Sequence, residues 1–283
     1  MRTLTVAITT FRETVRQPIY PILIVTAITL LALFTVIPYF AFGEDIKMLK
    51  DTGLAVILTA GGLLAILAAS ASISDDIEDR TAITVLSKPV NRWHFIIGKF
   101  LGIVAAIALL TAVLGAAFSA AVYYKVGYDV QENNYRPDGR MMTDVDRQQL
   151  QQWRWEEVKQ ALPGLVLVFL EVVVLTAIAV ALATRFHLVV TAIVVATIFV
   201  LGNLVPVLVS YGEGGQMFEP VQFWARFLMV VLPPLEYLNV TPSIATGSHI
   251  PLSYVGLAVV YCVFYSAAAL LLALLLFEDR DLA

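Results

Sequence analysis

Six long apolar runs, separated by polar segments, dominate the pattern of hydrophobic and polar positions along this 283-residue chain. A helix needs ~20 mostly apolar residues to cross ~30 Å of hydrocarbon, because every backbone amide must find its partner within the segment. All six runs reach that length, so the pattern predicts an all-α polytopic membrane protein with six transmembrane helices. The predicted spans are Tyr20–Phe42, Thr52–Ile73, Phe100–Tyr124, Ala161–Thr184, Leu188–Ser210 and Pro251–Phe277.

The composition supports the same class of protein. Hydrophobic residues make up 59% of the chain and charged residues 14%, and the mean hydropathy is +0.83, far above that of an ordinary soluble domain. The net charge of −4 is divided among loops on both sides of a membrane and indicates no partner. Because no basic stripe is available to neutralise phosphates, nucleic-acid binding is excluded. We interpret residues 1–283 as a single transmembrane domain.

Residues 1–19 precede the first span and show a helical period of their own. This pattern predicts an amphipathic helix on the cytoplasmic leaflet, with a disordered basic tail as the alternative. The run that follows is longer than the core of a signal peptide, which favours an uncleaved anchor. The apolar positions of the helix are Leu4, Ile8, Phe11 and Val15, and its charged positions are Arg2, Arg12, Glu13 and Arg16.

Lysine and arginine positions decide the predicted orientation. With both termini inside, each side of the membrane receives the same number of basic residues. Those on the side of the termini lie in short segments near span ends, whereas most of the others lie among acidic residues in Lys125–Gln160. We therefore predict cytoplasmic termini and external segments at 125–160 and 211–250. Within the second, Phe227–Leu235 is too short to span and is expected to be re-entrant or interfacial, with a seventh span as an alternative.

A charged segment at residues 72–94 lies between the second and third spans. Ser72 stands three residues before Asp75, and acidic residues follow where the dipole of a helix start favours them. The pattern predicts a short helix that begins at Ser72 and ends at Lys88-Pro89. Its narrow apolar stripe could fit a groove on a soluble partner, although a solvated loop is the alternative.

These residues resemble the segment that follows the second span in permeases of ABC-2 type transporters. In that family the segment is the coupling helix, which docks on an ATP-binding subunit. The layout is similar as well, with a very short fourth-to-fifth loop and an interrupted outer segment before the last span. Arg80 departs from the pattern, in which glycine is common. The matching residues are Thr81, Leu86-Ser87-Lys88-Pro89-Val90, Arg92 and Gly98-Lys99.

The resemblance implies an exporter subunit in the cytoplasmic membrane of a prokaryote, assembled from two copies of this chain and two ATPase subunits. Gly98-Lys99 lacks the rest of the G-x-x-x-x-G-K-[ST] phosphate cradle, so the chain should bind no cofactor. ATP and Mg would act through the partner subunit, and this chain would not be an enzyme. The residues expected to couple to the ATPase are Asp75, Asp76, Glu78, Asp79, Arg80, Thr81, Thr84, Lys88, Pro89 and Arg92.

Glu171 is the only carboxylate well inside a predicted span. A charge there costs several kcal/mol unless it is paired, protonated or wetted. We therefore expect Glu171 to belong to a translocation path or a dimer seam, with Asn203 on the fifth span as its potential partner. A protonated or locally bonded glutamate with only a structural role is the alternative.

The remaining polar residues indicate little chemistry. Cys262 lies within a span and should serve packing, Lys99 should extend to the membrane interface, and the three histidines lack metal-ligand spacing. A non-transporting scaffold for an envelope or maturation complex is the alternative to a transporter. A membrane enzyme is disfavoured, because no nucleophile or paired carboxylates converge. Drugs, lipids, polysaccharides and metal-related compounds all stay open as cargo.

Overall fold

The structure is a computed structural model that describes residues 2–36, 45–78, 92–133, 150–213, 223–224, 226–228, 232–240, 243–244 and 250–278. The described residues form helices and turns without a strand, which confirms the predicted all-α class. A 3₁₀ turn at Leu235–Leu238 precedes the last helix. The long helices are α1 (Arg2–Arg16), α2 (Ile19–Val36), α3 (Asp45–Glu78), α4 (Arg92–Asn133), α5 (Leu150–Ala183), α6 (Leu188–Glu213) and α7 (Leu252–Glu278).

Six helices of the described part, α2 to α7, are long and apolar enough to cross a membrane, and each coincides with one predicted span. Helices α3, α4 and α5 extend well beyond their predicted spans. Helix α4 has 42 residues and therefore measures ~63 Å, about twice the hydrocarbon thickness. An apolar run marks only the lipid-embedded part of a helix, whereas backbone hydrogen bonding continues through polar residues. The predicted external loop 125–160 is correspondingly shorter, since α4 extends to Asn133 and α5 begins at Leu150.

The predicted helix start at Ser72 is wrong. Helix α3 runs without a break from Asp45 to Glu78, so Ser72 lies in its interior and Asp75, Asp76 and Glu78 lie in its last described turns. Serine is tolerated in a helix interior when its hydroxyl finds a partner, and Ser72 is fully buried with its Oγ accepting a hydrogen bond from another helix. A serine followed by acidic residues does not distinguish that situation from a helix cap.

Helix α5 is the centre of the bundle. In the most apolar 18 residues of α5, 83% of the positions are buried. The corresponding share is 17–22% in α2, α6 and α7, so these three helices present most of their surface outward. The described core places α5 among α3, α4 and α7. The turn from α5 to α6 at residues 184–187 is as short as predicted, with the Arg185 N–H donating to the Leu182 carbonyl oxygen at 3.0 Å.

Helix α1 packs closely along the first turns of α4. A Cβ atom at Gly98 would lie 2.7 Å from the Val6 Cβ, and one at Gly102 would lie 2.6 Å from the Ala7 carbonyl oxygen. Two glycines thus let the backbones approach, as small residues do at membrane helix contacts. Leu4 is 66% exposed on the outer side of the helix. The predicted amphipathic helix is present, with small residues against the bundle and part of its apolar stripe facing away.

The segment between α6 and α7 enters the bundle. Pro233, Leu235 and Ile244 are buried. A Cβ at Gly202 of α6 would lie 2.8 Å from the Pro233 carbonyl oxygen, and one at Gly164 of α5 would lie 2.2 Å from the Ile244 Cδ1. Glycine therefore stands where each spanning helix meets the described residues of this segment.

Three aromatic side chains precede the buried part of the segment between α6 and α7 and remain exposed: Phe223, Trp224 and Phe227. The Trp224 ring makes edge-to-face contacts with both phenylalanines, at centroid distances of 6.0 and 5.9 Å. Of the predicted segment Phe227–Leu235, the described residues include an exposed Phe227 and a buried Leu235, and its re-entrant or interfacial placement stays a prediction. Exposed tryptophan and phenylalanine at such a place are typical of a membrane interface.

Candidate functional site

The residues expected to couple to an ATPase lie around the connection between α3 and α4. Asp75, Asp76 and Glu78 belong to the end of α3, and Arg92 is the first residue of α4. The structure thus brings two flanks of the predicted coupling segment to one end of the bundle. The other six residues, namely Asp79, Arg80, Thr81, Thr84, Lys88 and Pro89, lie outside the described residues, so the short helix expected there stays a prediction.

Lys99 joins three helices beside that connection. Its Nζ donates a hydrogen bond to the Ser72 Oγ at 2.8 Å and lies 3.7 Å from the Glu13 Oε2. It also lies 5.6 Å from the ring centre of Phe95, within reach of a cation–π contact. Lys99 is only 5% exposed, so it does not extend to the interface as expected. The reason is that α1 covers this side of α4 at Gly98.

A fourth helix end reaches the same place. The Phe95 ring stacks with that of Phe277 in the last turn of α7, with 6.2 Å between centroids. The ends of α1, α3, α4 and α7 therefore converge around Lys99. In the sequence, the Gly98-Lys99 pair and the charged residues of α1 stand far apart and indicate no common site. The available signal was that Ser72, Glu13 and Lys99 are polar residues that all lie next to span ends.

Buried ion pairs join the central helices at the opposite end of the bundle. Lys50 of α3 is 2% exposed and forms an ion pair with Glu157 of α5. Lys125 of α4 is 3% exposed, and its Nζ lies 3.7 Å from the Asp45 Oδ2 of α3. Sequence analysis missed these contacts because the apolar runs end before them and the residues were assigned to loops.

Arg154 completes this end of the bundle. Its guanidinium carbon lies 5.0 Å from the ring centre of Tyr123, a cation–π geometry, and Tyr123 also contacts Trp155 with 5.6 Å between centroids. The guanidinium occupies the space over Gly127, where a Cβ would lie 1.9 Å from the Nη2. Gly127 therefore makes room for the arginine that connects α5 to α4.

The structure brings Glu171 and Asn203 together in the interior. Glu171 is fully buried, and the Asn203 Nδ2 donates to its Oε1 at 3.4 Å and to the Phe199 carbonyl oxygen at 3.0 Å. Within the described part of the chain, the Glu171 Oε2 and the Asn203 Oδ1 have no hydrogen-bond partner. Asn203 follows Gly202, which contacts Pro233, so the pair lies next to the segment between α6 and α7.

Other candidate chemistry is sparse in the described residues. Among them, no three histidine, cysteine or acidic side chains lie close enough to hold a metal ion. Cys262 is buried, with its Sγ 3.6 Å from the Leu170 carbonyl oxygen and 3.9 Å from the Ser266 Oγ. Those distances fit the packing role that the sequence indicated.

Comparison with known families bears on the first half of the fold. Residues 4–135, just under half of the chain, match the model of a family described as ABC-2 family transporter protein. Over these residues the chain is similar to members of that family. The match includes α1 to α4 and the connection at residues 79–91, and it confirms the resemblance drawn from the sequence. A search of curated proteins found no match.

Together, the partial match and the six apolar helices support a multi-pass membrane protein that is similar to ABC-2 transporter permeases. The matched part contains the Lys99 contacts and the flanks of residues 79–91. Glu171 and Asn203 lie beyond it, on helices α5 and α6. The family match therefore bears on the Lys99 region and does not extend to Glu171 and Asn203.

Proposed function

We propose that this chain is an ABC-2 permease subunit, that it forms the membrane part of an exporter, and that a separate ATPase subunit docks on the segment from Asp75 to Arg92. The observation that carries the proposal is the fixed geometry at the base of that segment, where Lys99 of α4 holds Ser72 of α3. A partner needs a firm surface to push on, and buried polar contacts restrain both helix ends. The family match includes this region, which supports the same role.

ATP binding by the partner would then move α3 and α4 together. Besides the Ser72–Lys99 hydrogen bond, Lys125 and Asp45 connect the two helices at their far ends. Two connections at opposite ends oppose separation, so a push on the segment from Asp75 to Arg92 would displace the helix pair as a unit. That displacement would switch the bundle between inward- and outward-facing arrangements. ATP and Mg would act in the partner, while the permease itself carries out no catalysis.

Glu171 and Asn203 are proposed as a polar element of the translocation path. Glu171 is fully buried within one chain on the most buried span, which favours a path over a seam between two copies. Its unpartnered oxygen lies in a region that has few polar groups, and such a group is costly unless it serves a purpose. The adjacent re-entrant segment would restrict access to the pair from one side.

The assembly would contain a second copy of this chain in the cytoplasmic membrane, with both termini in the cytoplasm. In α2, α6 and α7, only 17–22% of the most apolar window is buried, so the remaining surface of these helices offers the area for lipid and for that copy. Export rather than import follows from the family resemblance alone.

The test is copurification with the ATPase subunit. The double variant Asp75→Ala with Asp76→Ala and the single variant Glu78→Arg should insert normally but bind the ATPase about tenfold more weakly, a loss of ~1.4 kcal/mol. Asp144→Ala with Asp146→Ala is the matched control and should leave binding unchanged. Equal recovery of the ATPase by all variants would contradict docking at this segment. An ATPase that never copurifies with the unaltered chain would favour the scaffold alternative.

A further inference from the structure

We propose that Lys99 is a positioning residue that joins the amphipathic helix α1 to the base of the docking segment, so that α1 moves with α3 and α4 during the transport cycle. This inference rests on the proposed function, because the ATPase supplies the movement. It adds a mechanical role for α1 and names the contact that carries it, between Lys99, Ser72 and Glu13.

The first step is that Lys99 is held firmly. A buried ammonium group is costly unless hydrogen bonds and an opposite charge compensate for it. Lys99 is 5% exposed and finds Ser72 at 2.8 Å on one side and the Glu13 carboxylate at 3.7 Å on the other. The Phe95 ring lies near the same charge. Leaving this arrangement would strand a buried charge, so the lysine resists displacement from either helix.

The second step is that α1 has little freedom to slide on α4. Gly98 precedes Lys99, and Gly102 follows it by about one turn. Any Cβ at those two positions would lie 2.6–2.7 Å from atoms of Val6 or Ala7. Because a Cβ has no room at either position, α1 and α4 approach closely there, and this close packing opposes sliding of one helix along the other. The ion pair and the glycine contacts act on the same face of α1.

The third step is the distance to the docking segment. Ser72 lies three residues before Asp75, and Lys99 lies seven residues after Arg92, so they stand ~5 and ~11 Å along their helices from the ends of the docking segment. A force applied to that segment reaches these residues before it reaches the rest of the bundle. Glu13 belongs to α1 and pairs with Lys99, so a displacement of Lys99 passes to α1.

Lys99→Met tests the inference because methionine keeps much of the packing and removes the charge and the donor. Spin labels at Thr9 on α1 and Leu109 on α4, both exposed positions, report the distance between the helices, with Cys262→Ala to remove the native thiol. The measurement uses the full permease–ATPase complex in lipid vesicles, with and without trapped ATP. Lys159→Met, an exposed lysine on α5, is the matched control.

We expect the unaltered protein and the control to keep one narrow distance in both nucleotide states. With Lys99→Met the distance should broaden when ATP is trapped. Stimulation of the ATPase by the permease should fall about tenfold, within the usual range of coupling between sites. Glu13→Gln should show the same changes more weakly. Glu13→Gln leaves the Lys99–Ser72 hydrogen bond in place, so copurification of the ATPase should be unchanged in that variant. Glu13→Asp, which keeps the negative charge, should behave like the unaltered protein. Because Glu13 is half exposed, these two variants keep the test valid if Lys99→Met does not fold.

Narrow distances and normal stimulation in both Lys99→Met and Glu13→Gln would overturn the inference and leave the proposed function intact. Failure of the unaltered chain to bind or stimulate the ATPase would overturn both. A loss of ATPase binding in Lys99→Met without a change in the α1–α4 distance would also contradict the inference, because it would assign Lys99 to docking.

Discussion

Removing one partner of the ion pair between Lys50 and Glu157 should cost more stability than removing the other. Lys50 is 2% exposed and lies in the interior, whereas the Glu157 side chain is 19% exposed and reaches the surface. Glu157→Gln therefore leaves an ammonium group buried without a counter-charge, and we expect a loss of ~3–5 kcal/mol in unfolding free energy. Lys50→Met leaves a carboxylate that water can reach, so the loss should be ~1–2 kcal/mol, near the value of one hydrogen bond to a charged group.

The double variant should be more stable than Glu157→Gln alone, because removing both charges removes the cost of burying either one. This interaction is what a double-mutant cycle measures. Thermal inactivation of the purified protein in lipid nanodiscs would rank the variants, and a reversible unfolding assay would give the energies. Lys159→Met, an exposed lysine on the same helix as Glu157, serves as the control and should change stability little.

Two outcomes would refute this reasoning. If Lys50→Met were as destabilising as Glu157→Gln, the difference in exposure would not control the cost. If the effects of the two single substitutions simply added in the double variant, the side chains would not be coupled. Additive effects would imply that the ion pair contributes no more than a surface pair, ~0–1 kcal/mol.

Three further predictions concern the interior, the α1 contact and the orientation. Glu171→Gln should fold normally but reduce transport-coupled ATPase activity, and unchanged activity at unchanged expression would assign Glu171 to packing. Gly102→Ala should lower thermal stability, because its Cβ would lie 2.6 Å from backbone of α1, whereas Gly62→Ala faces open space and should not; equal effects would contradict the close contact. An impermeant thiol reagent should label a cysteine at Gly139 but not one at Asn91 in intact cells, and the reverse pattern would invert the topology.

The sequence was sufficient to locate the six spans, because ~20 consecutive apolar residues match the thickness of a bilayer and exceed the usual length of an apolar run in a soluble core. The ends of the helices were harder to predict, as α3 shows by continuing through Ser72 to Glu78. Hydropathy reports the surroundings of a residue, whereas a helix persists wherever its backbone hydrogen bonds are made. The ends of α4 and α5 were assigned to loops for the same reason.

Of the polar contacts inside the bundle, the sequence suggested one and did not suggest another. Asn203 could be named as a potential partner of Glu171 because few polar residues lie in the middle of neighbouring spans. The burial of Lys99 could not be anticipated, since it depends on α1 lying across Gly98, and one sequence does not show which helix covers which glycine. A lysine at a span end looks the same whether water or another helix surrounds it.

The position of Glu171 on the most buried span also bears on how the chain enters the membrane during synthesis. Spans emerge from the ribosome in order, so α5 reaches the bilayer before α6 supplies Asn203. A lone acidic side chain at mid-membrane costs ~2.5–3.5 kcal/mol on insertion scales. The turn at residues 184–187 is short enough for α5 and α6 to enter as a helical hairpin with the amide already beside the carboxyl. Biogenesis therefore favours keeping this turn short, independently of any part it plays in the finished transporter.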